Sequence, residues 1–372
     1  MAVAQRRNAV TTSLASPIGG WNARDSLANM QPLDAVQLIN FFPTPTDVTL
    51  RKGYTKSSTG ITGKVRSLMN YSDTSLAAGY NLFAAAGTKI YDAKPSTAVE
   101  YFSGITSDKF QHTNITNAAG HFLVACNGSD PTMIYDGTRW FYVATTTTAQ
   151  TISSITRGGT GNLTATLTTA APHGLITGNR VTITGATPTQ FNGTYVIIKT
   201  GASTFTYTMA SAPSGNATVM GTYTTIGITG VDSSKFINVN LFKNRLYFTE
   251  KNTLTCWYLP VDAIGGTALP LPFGGIARNS GYLQAMGTWT IDAGQGVDDY
   301  AVFVTSMGEV IVYNGTDPDN VDTWALKGVW QLGQTFTRRC FFKWAGDLLL
   351  LTQDGLVPLA SALQSSRLDL GL

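Results

Sequence analysis

The sequence predicts an all-β chain, a β-propeller-like repeat domain with an inserted small β-sandwich or barrel domain and a short N-terminal helix. Three observations lead there. A hairpin of two apolar runs around a Gly- or Asn-containing turn occurs five times, at intervals of roughly 40–56 residues once one long gap is set aside, and a propeller blade repeats about every 40–50 residues. The gap itself is Thr- and Gly-rich with strand-like alternation, as an inserted β-domain would be. Composition agrees: 43% of residues are hydrophobic, 10% aromatic and only 13% charged, and 38 glycines provide for many turns.

At 372 residues the chain exceeds the roughly 250–300 at which one hydrophobic core stops growing, so two domains or a ring of repeats is expected. Residues 1–16 are polar and irregular and read as a flexible arm. Residues 17–149 hold an N-terminal segment and the first blades, 150–225 the insert, and 226–372 the remaining blades. In the N-terminal segment Pro32 stands where the first turn of a helix tolerates proline. Leu33, Val36, Ile39 and Phe42 then recur near helical spacing until Pro43 and Pro45 stop the pattern. The alternation from Val48 to Tyr54 reads as a strand.

The five hairpins lie at 82–92, 122–137, 246–258, 301–315 and 348–359. Several end in Tyr followed by Asp or Asn, as in Ile90-Tyr91-Asp92 and Val312-Tyr313-Asn314-Gly315. The aromatic suits packing between blades, and Asp or Asn with Gly suits the left-handed turn that leaves a strand. In the insert, runs beginning at Thr164, Arg180, Gly193 and Thr204 are parted by Asn-Gly and Gly-rich turns.

Motifs that would carry catalysis are missing. His112, His121 and His173 have no nucleophile or acid at a recognisable spacing, and there is no Gly-x-Ser-x-Gly elbow, His-Glu-x-x-His pair or phosphate-binding Gly-x-x-x-x-Gly-Lys-Thr loop. No helical pattern follows the glycines at 158–161 to direct a dipole at a phosphate. The acidic turn at 317–322 has Val321 where a calcium loop needs an oxygen ligand. Asp298 and Asp299 are neighbours that would point apart on a strand. Neither an enzyme nor a cofactor or metal is expected. Cys126, Cys256 and Cys340 lie in or beside apolar runs and read as buried thiols of a reducing cytoplasm.

Charge excludes a dedicated nucleic-acid binder. The formal net charge is +3, and no basic run is longer than Arg6-Arg7, Arg51-Lys52 or Arg338-Arg339. No apolar stretch reaches the about 18 residues of a membrane span, and none follows the basic N-terminus as in an export signal.

One segment carries a family resemblance. Gly19-Gly20-Trp21-Asn22-Ala23-Arg24-Asp25, then Asp34-Ala35, Asn40-Phe41-Phe42-Pro43 and Leu50-Arg51-Lys52-Gly53-Tyr54, resembles in order and spacing the N-terminal region of podophage tail nozzle proteins, also called tail tubular protein B or tail hub proteins. The insert, at 173–183, 191–195 and 204–207, is similar to a small β-module of phage tail and baseplate proteins. The resemblance implies propeller-like domains in a homo-oligomeric, commonly hexameric, ring under the adaptor and portal. Such a ring continues the DNA channel, retains and then releases the genome, and neighbours tail fibre or spike proteins. It further implies a place in the virion, with assembly in the host bacterial cytoplasm. Arg24, Asp25, Asp34, Phe41, Phe42, Arg51 and Lys52 are the candidate docking residues, an intramolecular pairing of Arg24 or Arg51 with Asp25 or Asp34 being the alternative. Nozzle proteins are often longer than this chain, so either few blades close the ring, or an N-terminal strand completes the last one, or a C-terminal part is carried elsewhere or is absent. The rival reading is a receptor- or glycan-binding module at the tail surface, headed by the insert; a tail depolymerase would need two carboxylates about 5–10 Å apart in a pocket.

Overall fold

The structure, a computed structural model, describes residues 14–73, 79–292, 297–344, 346–365 and 367–368. Among the described residues it is all-β apart from short 3-10 turns and one helix, Leu359–Ser365. The chain divides into two compact units, Met1–Ser57 and Ser58–Leu372. Most of the expected flexible arm, residues 1–13, lies outside the described residues.

In the smaller unit Gly20–Trp21 pairs in parallel with Asp34–Ala35, and Phe41–Pro43 forms a hairpin with Val48–Leu50. Gly19 must be glycine, because a Cβ there would run into the Asp34 carboxylate and the Leu33 carbonyl. The helix expected over 33–42 is not formed. Its would-be apolar stripe stays exposed, with Leu33 at 38%, Val36 at 60%, Ile39 at 61% and Phe42 at 58%. A short helix owes its stability to burying such a stripe, and here the stripe has nothing to pack on. The backbone groups instead bond across the loop, with Leu33 C=O accepting from Gly19 N–H (2.8 Å) and Ala35 C=O from Asn22 N–H (3.0 Å). Asn40, at φ 61°, then turns the chain into the hairpin.

The larger unit contains a five-bladed β-propeller. Blade 1 is Val65–Ser72, Tyr80–Ala86, Lys89–Asp92 and Val99–Ser103; blade 2 is Gln111–Asn117, Gly120–Cys126, Met133–Tyr135 and Trp140–Tyr142. Blade 3 is Phe236–Phe242, Arg245–Glu250, Thr255–Tyr258 and Leu269–Pro272. Blade 4 is Leu283–Asp292, Val297–Thr305, Glu309–Gly315 and Trp324–Gln331, to which Arg367–Leu368 adds a fifth strand. Blade 5 has three strands, Phe341–Trp344, Asp347–Thr352 and Gly355–Pro358. All five sequence hairpins fall on the second and third strands of a blade. In blade 3 the first hairpin turns on Lys243 (φ 46°) and Asn244 (φ 58°), both left-handed as a two-residue turn between twisted strands requires.

Those second strands are apolar on both faces because each blade is packed on both sides. In blade 2, Leu123 and Ala125 face blade 1 and join Met69, Tyr71 and Phe83, whereas Phe122, Val124 and Cys126 face blade 3 and join Phe236, Leu246 and Phe248. In blade 4, Phe303 meets Phe273 and Tyr258 on the blade 3 side, while Val302 and Val304 meet Leu348 and Leu350 of blade 5. Each of these four gaps is filled by one apolar cluster. Blade 5 turns its other face outward: the cross-strand pairs Phe342–Leu349 and Leu351–Leu356 share it with Trp344. There Phe342 is 52%, Trp344 64% and Leu356 51% exposed.

Residues 150–225 form a seven-stranded sheet between blades 2 and 3. The strands at its two ends, Gly193–Val196 and Ile198–Lys199, follow one another in the chain, so the sheet is nearly closed like a barrel. Thr164–Thr169 alternates half-buried threonines with buried Ala165, Leu167 and Thr169, and Leu167 joins Val181, Phe205 and Tyr223 inside. Asn179 anchors it to blade 2 by donating to the carbonyls of Tyr142 (3.0 Å) and Val143 (3.1 Å), beside an Arg180–Asp136 ion pair (3.0 Å). The chain enters and leaves the insert side by side, where Ala144 and Gly227 bridge. No helix among the described residues is long and apolar enough to cross a membrane.

Candidate functional site

The seven docking residues suggested by the sequence all lie in the smaller unit, and the structure gathers some of them. Asn22 is the organiser: its amide donates to Asp25 (2.9 Å) and Asp34 (2.7 Å) while its oxygen accepts from the Arg24 and Asp25 N–H groups. The Asn22 hydrogen bond, and then the Arg24 side chain, hold the Asp25 carboxyl below its usual range. Arg24 pairs with Asp25 at 3.2 Å, yet its side chain is 92% exposed, so the pair adds little to stability. Asp25 and Asp34 therefore pin the loop, and Arg24 projects from it. Arg51 lies over the Tyr54 ring at 5.2 Å, away from both carboxylates, and Lys52 is exposed.

Phe41 (46%) and Phe42 (58%) are exposed on the hairpin. They belong to a larger set in the same unit, with Trp21 at 67%, Leu27 at 76%, Leu50 at 66% and Tyr54 at 80%. Among its described residues Ala35 is the one buried hydrophobic side chain. So little apolar burial cannot offset the entropy of ordering some 40 residues.

A second site was not visible in the sequence. The innermost strands of the five blades surround a cavity of about 670 Å³, to which they contribute Arg66, His112, Asn240, Thr288 and Lys343 in blade order. Among the described residues no carboxylate lines it. Arg338 and Arg339, on the connection from blade 4 to blade 5, reach across it. Arg338 donates to the carbonyls of Asn127 (3.0 Å) and Lys109; Arg339 donates to those of Arg66 (3.0 Å) and Phe110 (2.8 Å) and to the Ser67 hydroxyl (2.7 Å). Burial, and then the nearby Arg339 charge, push His112 down to about 4, so its ring is neutral at pH 7. In the sequence Arg338-Arg339 is only a two-residue basic run; the ring topology brings it to Arg66 and Lys109.

The other sequence candidates are engaged in local structure. His173 accepts from Leu175 N–H (2.9 Å), and His121 contacts Thr116 (2.8 Å). In the acidic turn, Asp317 pairs with Arg245 (3.1 Å) and Asp319 accepts from the Tyr258 hydroxyl. Asp299 is held by Lys243 (2.6 Å) and Thr290 (2.9 Å). All three cysteines are buried free thiols.

No protein-family model matches the sequence, and no curated protein matches it. Among solved structures the chain is similar to BBS1N in complex with ARL6DN, soaked with mercury, at 14% identity and a TM-score of 0.32 over 84% of this chain and 82% of that one. It is also similar to YCF48 bound to D1 peptide, at 11% identity and a TM-score of 0.27 over 84% and 87% of the two chains. At those values the likeness says nothing of function, and the five blades rest on their own strand pairing.

Proposed function

We propose that the chain is a structural subunit of a podophage tail nozzle, a homo-oligomeric ring under the adaptor and portal through which packaged DNA leaves the particle. The observation that carries this reading is that each of the two compact units exposes an apolar surface of its own. One is the smaller unit with Trp21, Phe41 and Phe42; the other is the outer face of blade 5 with Phe342 and Trp344. A closed ring joined head to tail requires two different patches on every subunit. On this reading the DNA path is the space enclosed by the ring of subunits, and the propeller's own cavity of about 670 Å³ is a feature of each subunit. Work of this kind is geometric and needs no catalytic group.

Electron microscopy and mass measurement of the purified protein, alone and with portal and adaptor proteins, test the proposal. Rings or a nozzle-capped portal complex are expected. A monomer that joins neither protein at micromolar concentration overturns it.

A further inference from the structure

We propose that the cationic end of the propeller cavity is a binding site for a phosphate-bearing chain. Two adjoining cavities, of about 670 and 380 Å³, share Arg66, Arg338 and Arg339. The second adds Lys64 and Lys109, and the first adds Lys343. Five of these cations line the second cavity together, while Lys343 lines only the first, within reach of the Asp299 charge. Among the described residues the carboxylate paired with one of them is Asp108, 3.6 Å from Arg66 and also accepting from Gly87 N–H at 2.9 Å. The rest of the chain, without these seven residues, has 19 basic against 21 acidic side chains, so the positive excess of the molecule resides here.

The way the arginines are held separates a binding site from a structural ion-pair network. The acceptors that fix Arg338 and Arg339 among the described residues are carbonyls and one hydroxyl, all neutral. Neutral acceptors orient a guanidinium without cancelling its charge, and five N–H groups per guanidinium leave donors to spare. The opposing groups supply no anion to the arginines: His112 is neutral, and the Asp299 carboxylate is held by Lys243 and faces Lys343, which donates to Thr288 (2.7 Å). Positively charged groups crowded around the single carboxylate of Asp108 are costly, and an anion with several charges in a small volume relieves that cost. Consecutive phosphates, each with a charge and several acceptor oxygens that a guanidinium can engage bidentately, provide such an anion. Free polyphosphate and a single nucleic-acid strand share the chemistry. The inference stands whether or not the chain forms a ring.

Titration of the purified full-length chain with tripolyphosphate, a 10-nucleotide single-stranded oligonucleotide and polyglutamate, each at 50 and 200 mM salt, tests it. Either of the first two is expected to bind in the micromolar range and to weaken steeply with salt. The tighter of the two identifies the source. Lys64→Glu/Lys109→Glu replaces two exposed side chains and should weaken binding at least tenfold with unchanged thermal unfolding. Arg338→Gln/Arg339→Gln should abolish it. Binding of neither phosphate ligand at 50 mM salt, equal affinity in wild type and the lysine variant, or polyglutamate binding as tightly as tripolyphosphate would each overturn the proposal.

Discussion

His112 is a base held neutral inside a basic cavity, which makes stability depend on pH in a definite direction. Its folded value is about 4 against 6.5 when free, so its contribution is complete above about pH 6.5 and is lost as pH falls towards 4. The loss is at most about 3 kcal/mol. Urea unfolding of His112→Gln at pH 7 and pH 4.5 should show the variant gaining about 1–3 kcal/mol on wild type at the lower pH; parallel behaviour at both pH values would contradict this. Phe303 sits at 0% exposure between blades 3 and 4, its ring 4.6 Å from that of Phe273. Phe303→Ala should cost about 3–5 kcal/mol in urea unfolding. Val321→Ala, 88% exposed in the acidic turn, should stay within about 0.5 kcal/mol of wild type.

Elements differ in how far they could be foreseen. The blade hairpins were legible because a strand buried on both faces is an unbroken apolar run, and Phe122 to Cys126 and Ala301 to Val304 are such runs, short and bounded by turn residues. The insert was legible from alternation around Leu167 and Phe205. The 33–42 segment reads as a helix from spacing that does not say whether a partner surface exists, and Leu33, Val36, Ile39 and Phe42 are all in solvent. The cationic cavity could not be foreseen either. Its residues lie more than 270 positions apart, as Arg66 and Arg339 do, and only closure of blades brings them within a hydrogen bond. The insert also yields a prediction. Ala144 N–H donates to Ile226 C=O at 2.8 Å and Ile228 N–H to Ala144 C=O at 3.0 Å, so the propeller holds the two ends together unaided. Replacing residues 148–224 with a short Gly-Ser linker should leave a folded propeller with cooperative unfolding, measured by circular dichroism. A molten product would show that Asn179 and Arg180 are needed to order blade 2.

The whole molecule is a propeller with an apolar outer face on its last blade and an N-terminal unit that buries almost nothing of its own. Phe342→Ser/Trp344→Ser removes the stacked pair on that face, whose rings lie 6.1 Å apart. The variant should keep its midpoint of thermal unfolding and lose ring assembly in sedimentation. An intact ring would show that blade 5 is not an interface.

The four apolar clusters, each between consecutive blades, have a further consequence. They link the blades as a chain links, from first to last, and not as a hoop, since among the described residues no such cluster joins blade 5 back to blade 1. A middle blade cannot open without disrupting two clusters, whereas an end blade disrupts one. Amide hydrogen exchange should therefore be graded along the sequence, slowest in blades 2 to 4 and faster in blades 1 and 5. In a ring of subunits the end blades would gain their second neighbour from outside, and the gradient should flatten on assembly.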